Sequence, residues 1–173
     1  MNAERQRQQS ARHRALLALF YYGPLVFWAL LIGTLSTGMG SRENSLGILV
    51  RTLQQLAPDL ISSFSAENLG QLDYALRKSA HFAQYLILTL LAVRALQFGR
   101  CRLRWQSVAA GLAGSVLYAA LDEANQTLNP SRSPSVHDVL LDAAGSATAA
   151  FLIALWAGVK ALERRLREAA QLP

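Results

Sequence analysis

The chain predicts an all-α integral membrane bundle of four transmembrane helices, with an amphipathic extracytoplasmic helix between the first and the second. Three observations lead there. Of 173 residues, 52% are hydrophobic and only 16% are charged, with a positive mean hydropathy of +0.20. A soluble domain carries about 25% charged residues, so this chain is short of the charge needed to cover a water-facing surface. Uncharged runs of membrane-crossing length recur, since a hydrocarbon layer of about 30 Å needs about 20 helical residues. The basic residues, finally, fall in clusters between those runs.

Residues 1–14 form a basic tail with Arg5, Arg7, Arg12 and Arg14, followed by twenty-one residues, Ala15 to Leu35, without a charge. A cleaved signal peptide has an apolar region of only about 7 to 15 residues and a small-residue cleavage site, so this run is expected to stay as an anchor. Pro24 within it would kink the helix, which neighbouring helices tolerate in a bilayer. Ser41 to Arg77 has soluble character, and Leu46, Leu49, Leu53 and Leu56 recur at helical spacing. That pattern predicts an amphipathic helix on the membrane surface, stopped by Pro58. Ser65 is the expected cap of the next helix, which should run from Glu67 through Lys78 and His81 into the second span, about residues 79–97. Its uncharged core, Phe82 to Val93, is short; Arg94 at one end and Lys78 with His81 at the other can reach the interfaces along their stems. The third span, Trp105 to Leu121, holds small residues such as Gly111 and Gly114 that let helices approach closely in lipid. A turn-rich connector around Pro130, Arg132 and Pro134 precedes the fourth span, residues 138–159, and a second basic tail occupies 160–173. Residues 15–159 thus make one membrane domain.

A net charge of +6 and a pI near 10.1 raise the question of a nucleic-acid partner. The basic residues lack the interleaved aromatics that stack bases, and no nucleic acid is expected. The single cysteine, Cys101, excludes an internal disulfide and a cysteine zinc site. Lys and Arg are in excess on cytoplasmic loops. The N-terminal tail, the Arg94 to Arg104 connector and the C-terminal tail carry twelve of them, whereas Arg42, Arg51, Arg77, Lys78 and Arg132 make five on the other side. Both termini are therefore expected in the cytoplasm, with the 41–78 and 122–137 segments outside.

Polar residues concentrate at the expected outer ends of the apolar helices. Lys78, His81 and Tyr85 lie at i, i+3 and i+7, on one helix face. Asp122 and Gln126 are one turn apart, beside Glu123. Asp138, Asp142 and Gly145 share a face of the last helix, with Arg132 just before it. Ionisable groups near lipid usually face the bundle interior and pair, so these residues are expected to converge just below the outer boundary. A histidine such as His81 is the side-chain type able to titrate near neutral pH. The blander alternative is that the charges only mark where helices leave the bilayer, with Tyr85 as packing or an interfacial anchor.

The segments Lys78-Ser79-Ala80-His81-Phe82-Ala83-Gln84-Tyr85, Asp122-Glu123-Ala124-Asn125-Gln126, and Arg132 followed by Asp138, Asp142 and Gly145 resemble the VanZ-like membrane proteins. That family's pattern reads KxxHxxxY, DExxQ and RxxxxxDxxxNxxG, and the similarity spans roughly residues 20 to 155. The one departure is Asp142, where the family usually has Asn. The resemblance implies a small multi-helix protein of the bacterial cell envelope, the namesake being linked to low-level teicoplanin resistance.

The leading expectation is an outward polar pocket, formed by Lys78, His81, Tyr85, Asp122, Glu123, Gln126, Arg132, Asp138 and Asp142, that binds an anionic envelope lipid or a lipid-linked cell-wall precursor. Lys78 and Arg132 would hold phosphate, Arg through its two-pronged fork. The alternative is a hydrolase or transferase on lipid-linked phosphate or sugar at the outer leaflet, with His81, Asp122, Glu123 or Asp138 as acid or base. Ser131-Arg132 followed by His137 and Asp142 is similar to the last motif of type 2 phosphatidic acid phosphatases, but His137 stands one residue early and the companion PSGH segment is missing. Carboxylate and imidazole also suit a hydrolytic metal, although no spacing here demands one, and neither metal nor cofactor is expected. A third possibility is a scaffold whose polar cluster only fixes helix register. One open cavity would favour binding or catalysis; closed pairs without a cavity would favour the scaffold.

Overall fold

The computed structural model describes residues 2–36, 42–62, 64–126 and 135–170. Within them the chain is all-helical: α1 (Asn2–Leu35), α2 (Arg42–Leu56), α3 (Pro58–Ser62), α4 (Ala66–Gln97), α5 (Trp105–Gln126) and α6 (Val136–Ala169). Three of these are long and apolar enough to cross a membrane, Ser10–Leu35, Ala66–Gln97 and Val136–Ala169. The remaining expected span, residues 105–121, lies on α5, a helix of 22 residues that carries Gln106, Ser107, Ser115, Asp122 and Glu123 among its apolar ones. The connector around Pro130, Arg132 and Pro134 lies outside the described residues.

Two helices exceed their apolar runs. The polar segment before Ala15 continues α1 back to Asn2, built from Glu, Arg, Gln and Ala, all good helix formers. At the other terminus, Glu163 accepts hydrogen bonds from Lys160 and Arg167 at 2.9 Å each, pairs at i, i+3 and i, i+4 that support α6 through the basic tail. Ser65 caps α4 by accepting from the Asn68 backbone N–H at 3.2 Å. Pro24 sits within α1 without ending it. Pro58 does mark the end of α2, and opens the short α3 instead of leaving a loop.

The surface is inverted relative to a soluble protein. Leu16, Leu19, Phe27, Leu30, Phe151 and Leu155 are exposed, whereas Asp73, Thr89, Ser115, Glu123, Gln126, Asp142 and Ser146 are buried. Exposed apolar area on this scale marks a contact with something apolar, and for long apolar helices that partner is lipid. The interior can then hold the polar groups.

Helix α4 is the hub, packing against α1, α2, α5 and α6, while α5 and α6 also pack together. Small residues set these distances. A Cβ on Gly145 would lie 2.2 Å from the Phe82 carbonyl oxygen, and one on Gly111 would lie 2.7 Å from Val93 Cγ2. Thus α6 and α5 approach the α4 backbone as only glycine permits. Helix α1 is fastened by polar side chains: Trp28 Nε1 donates to the Gln84 carbonyl at 3.0 Å, and Tyr118 Oη donates to the Ala29 carbonyl at 2.7 Å. At the far end the Arg94 guanidinium stacks on Phe20 at 4.5 Å and donates to the Tyr21 carbonyl at 3.4 Å. The turn after α4 passes through Phe98 and Gly99, both with positive φ. Gly99 also clears the Tyr21 hydroxyl, which a Cβ there would meet at 3.2 Å.

Candidate functional site

The helix periodicity that puts Lys78, His81 and Tyr85 on one face of α4 aims that face at α6. Lys78 Nζ donates to Asp138 Oδ1, and lies 5.3 Å from the Tyr74 ring centre. One turn deeper, His81 Nδ1 stands 3.5 Å from Asp142 Oδ1. Both atoms are buried and make no hydrogen bond among the described residues. Asp142 is only 3% exposed, so its carboxylate has left water with the imidazole as its near partner. Another turn inward Tyr85 is fully buried, its ring 6.4 Å from that of Tyr118, and its hydroxyl has no hydrogen-bond partner among the described residues. Ser115 Oγ and Ser146 Oγ share that condition. The buried polar side chains thus come from α4, α5 and α6 alike.

Helix α5 completes the polar end. Glu123 Oε1 accepts the backbone N–H of Ser135, the residue that precedes α6. Gln126 Nε2 donates to Ser36 Oγ at 2.9 Å and to Asp122 Oδ2 at 3.3 Å, tying α5 to the end of α1.

A cavity of about 210 Å³ opens at this end. Its polar wall is Ser36, Ser45, Arg77, His81, Gln84 and Asp122, and Ile32, Leu35 and Ala80 supply an apolar side. Of the nine residues expected from sequence, His81 and Asp122 line it. Asp142 stands behind His81, while Lys78 is engaged by Asp138 away from the wall. Glu123, Gln126 and Tyr85 brace the helices around it, and Arg132 lies outside the described residues. The spacing argument missed Arg77, whose Nε donates to Asp73 Oδ2 at 3.1 Å and which lines the cavity. Nothing in the periodicity singles it out, because the cavity side of α4 is decided by where α1 ends and α2 begins. Gln84, Ser36 and Ser45 were missed for the same reason.

Chemically the cavity offers one guanidinium, one imidazole, one carboxylate, one amide and two hydroxyls beside an apolar wall. Among the described residues, no three His, Cys, Asp or Glu side chains converge as a metal cage. Compared with known proteins, residues 15–157 match the profile of the VanZ/LLP1 family. No match was found among curated proteins or among solved structures. The matched segment takes in α2 to α5 whole, α1 from residue 15, α6 as far as residue 157, and every residue that lines the cavity, and on that match the chain belongs to the VanZ/LLP1 family.

Proposed function

We propose that this protein crosses the bacterial inner membrane four times, α5 being the fourth span, with both termini cytoplasmic and α2 lying on the outer surface. Its cavity then faces outward and takes the head group of an anionic envelope lipid or a lipid-linked cell-wall precursor. Altered susceptibility to glycopeptides such as teicoplanin would be the cellular consequence. The observation that supports this reading is the juxtaposition of Arg77, His81 and Asp122 with Ile32 and Leu35 around one opening. A guanidinium binds phosphate through its fork, and a neighbouring carboxylate accepts from sugar hydroxyls or peptide amides. The apolar side suits the first carbons of a lipid chain. Lys78 and Asp138 form a closed pair, as a scaffold would require, but His81 and Asp122 open onto space, which a scaffold does not need.

The test is lipid extraction and mass spectrometry of purified wild type, Arg77→Gln, Asp122→Asn and Arg132→Ala. A co-purifying anionic lipid lost in the variants supports the reading; identical lipid profiles in all four reject it.

One arrangement favours a second reading, a hydrolase or transferase acting on the same ligand. His81 lines the cavity with the Asp142 carboxylate behind it at 3.5 Å, and closing that contact to a hydrogen bond would let the carboxylate orient the imidazole for proton transfer. Asp142→Asn, which restores the residue usual in the family, separates the two readings. Retained lipid with lost turnover points to catalysis, and unchanged behaviour in both points to binding alone.

A further inference from the structure

At the other end of the bundle a groove of about 790 Å³ opens between α6, the first turn of α5 and the connector before it. Trp156 in its wall is fourteen residues beyond Asp142 on the same helix, about 20 Å away at 1.5 Å per residue, so this groove is separate from the His81 cavity. Three cations line it, Arg102, Lys160 and Arg164, against the single carboxylate of Glu168. Lys160 shares Glu163 with Arg167, whereas Arg102 and Arg164 make no hydrogen bond or ion pair with any described residue. Two indoles stand among them, Trp105 and Trp156, 58% and 61% exposed. Exposed tryptophans belong at the head-group level of a bilayer, where the ring is half in lipid and its N–H is wet. The floor is made of Ala157, Gly158 and Ala161, and a Cβ on Gly158 would meet nothing within 4 Å. The helix surface is therefore recessed between the indoles.

We propose that this groove is a binding site for a doubly anionic phospholipid, with Arg102 and Arg164 each on one phosphodiester and an acyl chain on the small-residue floor. The charge match selects the ligand: Arg102 and Arg164, without an ion-pair partner among the described residues, leave two positive charges to be met. A soluble anion would use the cations but would leave the indoles and the recessed apolar floor uncovered. A basic pocket between membrane helices is a physically sound seat for such a head group. The proposal holds whichever way the polar-end cavity functions.

The test uses full-length protein in phosphatidylcholine nanodiscs and tryptophan quenching by brominated acyl chains. Brominated diphosphatidylglycerol is compared with brominated phosphatidylcholine at equal chain fraction, Trp28 on α1 serving as the common background. Stronger quenching by the anionic lipid is expected. In the Arg102→Gln/Arg164→Gln double variant the preference should fall by about 30-fold, the change expected when two side chains each supply roughly 1 kcal/mol at an anionic surface. The Arg12→Gln/Arg14→Gln double variant should keep it. Equal quenching by the two lipids in wild type overturns the proposal. So does an equal loss in both double variants, which would make the effect a general property of a basic surface. Displacement of the lipid by inorganic phosphate would likewise overturn it, in favour of a soluble anion.

Discussion

Replacing Gly145 with Ala tests the packing that brings the polar residues together. The new methyl would lie 2.2 Å from the Phe82 carbonyl oxygen, 3.1 Å from its carbon and 3.3 Å from the Leu86 nitrogen. All three are backbone atoms of α4, so no side chain can rotate aside. Bringing the first contact out to an ordinary 3.4 Å needs α4 and α6 to part by roughly 1 Å. Overpacking of this kind costs about 1 to 3 kcal/mol, here toward the upper end, and the helix propensity of Ala over Gly returns about 1 kcal/mol. The net loss should be about 2 kcal/mol. Gly111→Ala, whose first clash at 2.7 Å is with the Val93 side chain, should lose less. Gly114→Ala meets nothing within 4 Å, and should be neutral or up to about 1 kcal/mol more stable. Equilibrium unfolding in mixed micelles gives the ordering. Equal stability of the Gly145 and Gly114 variants would refute the close approach of α6 to α4, and with it the pairing of His81 with Asp142.

Trp28→Phe and Tyr118→Phe each remove one hydrogen bond that fastens α1, and each should cost about 1 kcal/mol in the same unfolding assay. No loss in either would show that α1 is held by other contacts. Cys101 is exposed and is the chain's single cysteine. A membrane-impermeant maleimide should label it in inverted vesicles and spare it in right-side-out ones; the reverse pattern would overturn the proposed topology. A reporter fused after Pro173 should likewise be active only as a cytoplasmic fusion.

Much of the architecture is legible because membrane helices announce themselves by uncharged length. The Ser65 cap and the continuous helix from Glu67 to Leu96 follow from local chemistry, and the structure places them at Ser65 and Ala66–Gln97. The helical state of the segment before Ala15 is not legible in hydropathy, because a polar helix and a polar tail look alike there. Spacing also puts Lys78 with His81, and Asp138 with Asp142, each on one face of its own helix, which is a one-helix property; that the two faces meet is seen only in the structure. It does not show that Lys78 is used up by Asp138 while Arg77, its neighbour in sequence, reaches the cavity. That depends on the end of α1 and the start of α2, which are set by long-range contacts such as Gln126 with Ser36.

The central claim is that the cavity beside His81 holds a lipid head group. The most direct measurement replaces Ala80, in the cavity wall, with a photoreactive benzophenone amino acid, irradiates cells, and weighs the adduct on the purified protein. The account predicts a discrete adduct with the mass of an anionic envelope lipid or lipid-linked precursor, suppressed by Arg77→Gln. No adduct, or a mixture in the proportions of the bulk membrane lipids, would contradict it.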